Sequence, residues 1–110
     1  MSTEERRRNP RRVVDVPVTI QVAGVPRPAV LKDICRDAAL VELDRWEVLG
    51  TPVVVEMKLP GSGKSLRVPG EVIRLAPGEQ ASHGMAILFS TTSPEAEAEI
   101  ELFMAREREA

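Results

Sequence analysis

The sequence predicts a mainly β fold: about six short antiparallel strands, arranged as a small barrel or sandwich, with one helix near the end of the chain. Three observations predict it. Apolar residues alternate with polar ones in several segments, which is the two-residue period of a half-buried strand. Glycine- and proline-marked turns separate these segments too closely for strand–helix–strand units. From Ser93 onward the apolar spacing changes to three and four residues, the period of a helix with one apolar face.

The first strand runs from Val14 to Val22, with Val14, Val16, Val18, Ile20 and Val22 on one face. Pro17 lies on the other face and has no N–H for a ladder bond, so this strand is expected at a sheet edge or with a bulge. The segment Gly24-Val25-Pro26-Arg27-Pro28 reads as a turn, Ala29–Ile34 as the second strand and, after a break at Arg36-Asp37, Ala39–Leu43 as the third. Leu49-Gly50-Thr51-Pro52 turns the chain into Val53–Leu59, and Pro60–Lys64 is a loop by composition. Ser65–Leu75 reads as a long strand broken near Pro69-Gly70, and Gly84–Phe89 as the last. Ser93-Pro94-Glu95 then supplies a cap residue, a proline in the first turn and an acid at the positive end of the helix dipole. Ile100, Phe103 and Met104 share one face, which is expected to pack on the strands.

With 110 residues, 43% of them hydrophobic and 29% charged, the chain is sized for one domain with a buried core. Its longest apolar runs, Pro52–Val55 and Met85–Phe89, are far shorter than the roughly 20 residues of a membrane span. The opening MSTEERRRNPRR has charge but no apolar stretch of a secretory leader, and Cys35 is the single cysteine. Both point to a reducing cytoplasm, and a single cysteine excludes an intrachain disulfide. A net charge of −2 argues against a nucleic-acid polymer as partner. The charge is unevenly placed, however: Arg6, Arg7, Arg8, Arg11 and Arg12 crowd the N-terminus, whereas Glu95, Glu97, Glu99 and Glu101 alternate near the C-terminus. Residues 1–12 therefore read as a flexible cationic arm on a domain of residues 13–108, suited to a discrete anionic ligand.

Enzyme chemistry has little to draw on, with one histidine, one cysteine, one tryptophan and no tyrosine. His83 reads as a strand-end histidine rather than a catalytic base, and Trp46 as a core edge rather than a partner contact. Gly63-Lys64-Ser65 has the tail of a phosphate loop, but the leading glycine would have to stand at position 58, which is Lys58. Proline at position 69 also follows where the loop needs a helix. No metal site or cofactor is expected. The arginines remain the strongest chemical feature. A guanidinium grips phosphate oxygens bidentately, reads the O6/N7 edge of guanine and stacks on a base. Arg7 and Arg11, four apart, can converge on one anion; the competing reading is a solvated basic tail.

Glu5-Arg6-Arg7-Arg8-Asn9-Pro10-Arg11 before a valine-rich strand resembles the opening of a PilZ domain, with its RxxxR motif at Arg7 and Arg11. Leu31–Leu40 stands where that family has a second motif, D/N-x-S-x-x-G. Leu49–Val53, Val68–Arg74 and His83–Phe89 are similar to the family's glycine turn, its "GEVVR" strand and its "GIGVxF" strand, so the likeness covers about residues 5–105.

The resemblance implies a six-stranded antiparallel PilZ-type β-barrel with a C-terminal helix, and a bacterial receptor for cyclic di-GMP that acts in motility or related signalling. It implies a ligand set of Arg7, Arg8 and Arg11 from the arm with Asp33, Cys35 and Ala38 from the second motif. Asp33 would accept from a guanine N–H edge. The ligand would order the arm and so alter a surface seen by a protein partner, with no bond made or broken. A monomer or a ligand-bridged dimer is implied. The second motif departs from the family at two places, since Cys35 stands for serine and Ala38 for glycine. A thiol is a weaker hydrogen-bonding group than a hydroxyl, and a methyl group obstructs a base or strains a backbone that needs positive φ. The alternative is therefore a PilZ-like adaptor that has lost the ligand and works by protein contacts alone.

Overall fold

The computed structural model describes residues 15–77 and 82–109. Six strands, β1 (Val16–Val22), β2 (Val25–Ile34), β3 (Ala38–Leu43), β4 (Pro52–Met57), β5 (Leu66–Pro77) and β6 (His83–Phe89), precede one helix, α1 (Pro94–Glu109). Every pairing is antiparallel, and the order β1-β2-β3-β6-β5-β4 closes on itself as a barrel. Closure decides between the two expected architectures.

Alternation does what the sequence predicts. Val16, Val18, Val55, Met57, Val72, Ile87 and Phe89 are all buried and turn inward with Ile20, Leu31, Val41 and Met85. Val14 lies outside the described residues. Apart from the termini, no polar side chain needs burial for this pattern, and among the described residues none is buried. At the other end of the sequence, the Ser93 hydroxyl accepts from the Ala96 amide at 3.0 Å, capping α1 as expected. Ile100 and Phe103 pass into the barrel core, Met104 packs against it, and Ala96 joins them.

Three local expectations are corrected. The turn after β1 is not Gly24–Pro28 but the two residues Ala23 and Gly24, both at positive φ (51° and 80°), and Val22 pairs with Val25. That is the conformation a two-residue hairpin needs. Pro26 and Pro28 lie within β2, but β3 pairs with β2 only from Val30 onward, so the missing N–H groups leave no gap in that ladder.

Pro17 follows the same logic. In a closed barrel β1 is not an edge strand, and the register shift lies between β2 and β3, at Leu31/Asp33, rather than in β1. β4 covers only Thr19–Val22, so Pro17 sits in the stretch with a single neighbour. β5 also runs unbroken through Pro69-Gly70, and its irregularity falls later, between Val72 and Arg74.

Candidate functional site

The second motif forms the tight connection from β2 to β3. Asp33 is half-buried opposite Leu40, just past the irregularity in the β2–β3 pairing. That irregularity lets the strand enter a four-residue turn in which the Cys35 amide donates to the Ala38 carbonyl at 2.8 Å. The Phe89 amide donates to the Asp37 carbonyl, also at 2.8 Å, and ties the turn to the end of β6. Ala38 begins β3 opposite Leu88. The structure thus brings Asp33, Cys35 and Ala38 together on one turn. The Cys35 thiol is exposed.

Ala38 does not carry the backbone strain that its place in the motif suggests. Ala23 is the one non-glycine residue at positive φ among the described residues. An alanine at position 38 therefore fits the backbone, and any obstruction it causes is that of its methyl group alone.

Two charged contacts frame the turn. Lys32 Nζ meets Asp15 Oδ1 at 2.5 Å where the chain enters β1, and Arg36 Nη1 meets Glu101 Oε2 on α1 at 3.1 Å. Val16 pairs with Leu31, so the chain preceding β1 joins the barrel beside the strand that leads into the turn. Arg7, Arg8 and Arg11 lie outside the described residues.

The opposite mouth of the barrel holds features that residue spacing did not reveal. The β3–β4 connection crosses it, and the Trp46 indole N–H donates to the carbonyls of Ala76 and Gly84 at 3.2 and 3.1 Å. The ring meets His83 edge-on with centroids 4.6 Å apart, and Trp46 stays 46% exposed, so it is not a core-edge residue. Arg27 Nε stands 3.5 Å from Glu47 Oε2, and His83 Nδ1 is buried without a hydrogen-bond partner. Among the described residues no three His, Cys, Asp or Glu side chains gather to hold a metal ion, and no helix is long and apolar enough to cross a membrane.

The fold is thus a closed antiparallel barrel with Asp33, Cys35 and Ala38 on the turn between β2 and β3. A family model for the PilZ domain matches residues 5–106, and the chain belongs to the PilZ domain family. Solved structures show the same fold. The inhibitor of motility MotI/DgrA of Bacillus subtilis superposes with a TM-score of 0.73 at 16% identity, over 93% of this chain and 51% of that one. The PilZ domain of YcgR from Escherichia coli, solved with c-di-GMP, gives 0.63 at 17% over 94% and 93%. PlzA of Borreliella burgdorferi, also in complex with c-di-GMP, gives 0.64 at 14% over 90% and 41%. The chain thus spans about half of the Bacillus protein and less of the Borreliella one. No curated protein sequence matches it.

Proposed function

We propose that this protein is a cyclic di-GMP receptor that carries its signal onward through protein contacts. The carrying observation is topological. The pairing of Val16 with Leu31, and the Asp15–Lys32 ion pair, bring the start of β1 to the end of the barrel where the Asp33–Ala38 turn lies, and the arginines precede β1 in the sequence. A ligand held there takes guanidinium donors from Arg7, Arg8 and Arg11 on its phosphates and guanine edges, while the Asp33 carboxylate accepts from a guanine N–H. Cys35 and Ala38 line the same turn. Residues 1–12 act as the arm and 13–108 as the barrel domain; ligand binding orders the arm and alters the surface offered to a partner. PilZ structures solved with c-di-GMP, and one from an inhibitor of motility, support this reading and a motility role; the cytoplasm is the proposed location. The receptor is a monomer or a ligand-bridged dimer and uses no metal or cofactor.

The Cys35 and Ala38 departures favour a second reading, a ligand-independent adaptor, because they weaken one hydrogen bond and narrow the space above the turn. Titration calorimetry of the full chain with cyclic di-GMP, using GMP and cyclic di-AMP as controls, separates the two. Saturable heat with cyclic di-GMP alone supports the receptor; no heat at high ligand concentration leaves the adaptor.

A further inference from the structure

Two irregularities in the barrel act alike on two charged residues. On β2, Leu31 pairs with Val41 and Asp33 with Leu40, so Lys32 and Asp33 together face one residue of β3. On β5, Val72 pairs with Ile87 and Arg74 with Ala86, so Ile73 and Arg74 together face one residue of β6. Each is a β-bulge, which inserts one residue into a strand and re-aims a side chain. Leu31 and Val72 are buried, and strict alternation would turn residues 33 and 74 inward as well. The bulges set them outward instead. Asp33 is half-buried opposite half-buried Leu40, and Arg74 is exposed opposite half-buried Ala86.

The two residues end one row. Leu40 itself pairs with Ala86, so Asp33, Leu40, Ala86 and Arg74 stand side by side across β2, β3, β6 and β5. Ala39 and Val41 are buried on either side of Leu40, and Met85 and Ile87 on either side of Ala86, so the middle pair points to the outer wall. Three strand spacings separate the ends of the row, about 14 Å of backbone. A carboxylate closes one end of a short apolar bed and a guanidinium the other. Bulges also curve a sheet into a barrel, but curvature does not require two re-aimed charges at the ends of the same row.

Charge decides what Arg74 meets. No hydrogen bond or ion pair engages its side chain among the described residues. Glu71, opposite Leu88, is exposed on the same strand, and its charge disfavours a phosphate there. A guanine edge carries no net charge, and its O6 and N7 accept from the planar fork of an arginine. Its N1–H and N2–H groups donate to a carboxylate, the contact already proposed for Asp33. A purine laid face-down on Leu40 and Ala86 offers both edges at once.

We infer that Arg74 is a specificity-determining residue of the ligand site. It forks to O6 and N7 of the guanine whose other edge meets Asp33, and the arm arginines keep the phosphates and the second guanine. The inference rests on the proposed cyclic di-GMP receptor and adds a residue outside both the arm and the Asp33–Ala38 turn, placed by the β5 bulge.

The test is calorimetry of the full chain with three ligands: cyclic di-GMP, its analogue with both guanines replaced by 7-deazaguanine, and cyclic di-AMP. Arg74→Gln removes the fork from an exposed side chain, so the urea midpoint should not move. Cyclic di-GMP should bind this variant at least about tenfold more weakly than the unmodified protein. Arg67→Gln, an equal loss of charge from the same strand, should bind normally. The penalty for the deaza analogue, which has C–H in place of N7, should shrink several-fold in Arg74→Gln because one N7 has already lost its donor. The preference for cyclic di-GMP over cyclic di-AMP should narrow too, since glutamine suits the N6/N7 edge of adenine. Absence of heat with the unmodified protein overturns the receptor reading and this inference together. Cyclic di-GMP affinity that survives Arg74→Gln, or falls equally in Arg67→Gln, overturns the inference alone. So does a deaza penalty that is absent from the unmodified protein or undiminished in Arg74→Gln, which would put the arginine on a phosphate instead.

Discussion

The carbonyl oxygen of Leu88 lies 2.5 Å from where a Cβ on residue 70 would sit, and Ile87 Cγ2 lies 2.8 Å from it. β5 and β6 approach each other closely because residue 70 has no side chain. Gly70→Ala must therefore push strand backbone rather than a flexible side chain, and overpacking of this kind costs about 1–3 kcal/mol. Urea unfolding should show a lower midpoint at unchanged slope. A midpoint equal to that of the unmodified protein would mean that β5 and β6 can separate freely at this point.

Helix α1 should prove part of the barrel's stability rather than an appendage. Ile100 is fully buried, whereas Leu102, two residues on, is 50% exposed. Ile100→Ala is expected to cost about 2–5 kcal/mol, from lost burial and the cavity left behind. Leu102→Ala should stay within about 0.5 kcal/mol of the unmodified protein. Two-state denaturation of both variants checks the contrast, and similar losses would place α1 differently on the barrel.

Lys64 gives a prediction at alkaline pH. Its hydrogen bond to Glu95, with the charge of that carboxylate, raises the lysine above the ordinary 10.5. A folded-state pKa above the unfolded one means the folded protein holds the proton more tightly. The contribution is complete below 10.5 and is lost as pH rises through the higher folded value. Lys64→Gln should therefore flatten the fall in stability above that pH and do little at neutral pH, because the pair is solvent-screened. Unfolding midpoints measured on either side of pH 10.5 test the sign.

What was legible in the sequence follows from which forces act locally. The inward alternation of Val16, Val18 and Val55 and the Ser93 cap depend on neighbours in the chain, and both stand in the structure. Proline was over-read. Pro17 reads as a mark of an edge or bulge, and Pro26 and Pro28 as turn residues, yet each falls where the next strand has ended, and a strand's length relative to its neighbour is not written in its own residues. Pro69-Gly70 looks like a break for the same reason, although the glycine serves close packing against β6. The Asp33–Ala38 turn was legible as a motif because it is contiguous. Its Arg36–Glu101 link to α1 was not, nor was the Trp46 pin across the barrel mouth, since each joins residues 65, 30 or 38 positions apart.

If cyclic di-GMP binds, the arm arginines should carry most of the affinity. Each bidentate, charge-assisted contact is worth on the order of 1–3 kcal/mol, so Arg7→Ala and Arg11→Ala should each weaken binding roughly 10- to 100-fold by calorimetry. Arg67 is the suitable control, since it pairs with Glu56 on the outer wall, at 2.9 Å. Arg27 serves poorly because its contact with Glu47 helps close the barrel mouth. Equal losses from Arg7→Ala, Arg11→Ala and Arg67→Ala would mean diffuse charge attraction rather than a site.

Restoring the second motif should strengthen the ligand, and the two changes should not contribute equally. Cys35 is exposed on the turn, so Cys35→Ser replaces a weak thiol with a hydroxyl that can donate and accept, at no packing cost. A net hydrogen bond of about 0.5–1.5 kcal/mol makes binding several-fold tighter. Ala38→Gly acts differently. Residue 38 is not at positive φ and begins β3 opposite Leu88, so glycine relieves no strain there and weakens the strand by about 0.5–1 kcal/mol. Its benefit is limited to the space a methyl group vacates above the turn. Cys35→Ser alone is therefore expected to give most of the gain, the double variant somewhat more affinity at lower stability, and Arg11→Ala should abolish the gain in either. The sites share one turn, so their effects need not add. Unchanged affinity in Cys35→Ser and in the double variant would show that the Cys35–Ala38 turn does not limit binding, and would move the weight to the adaptor reading.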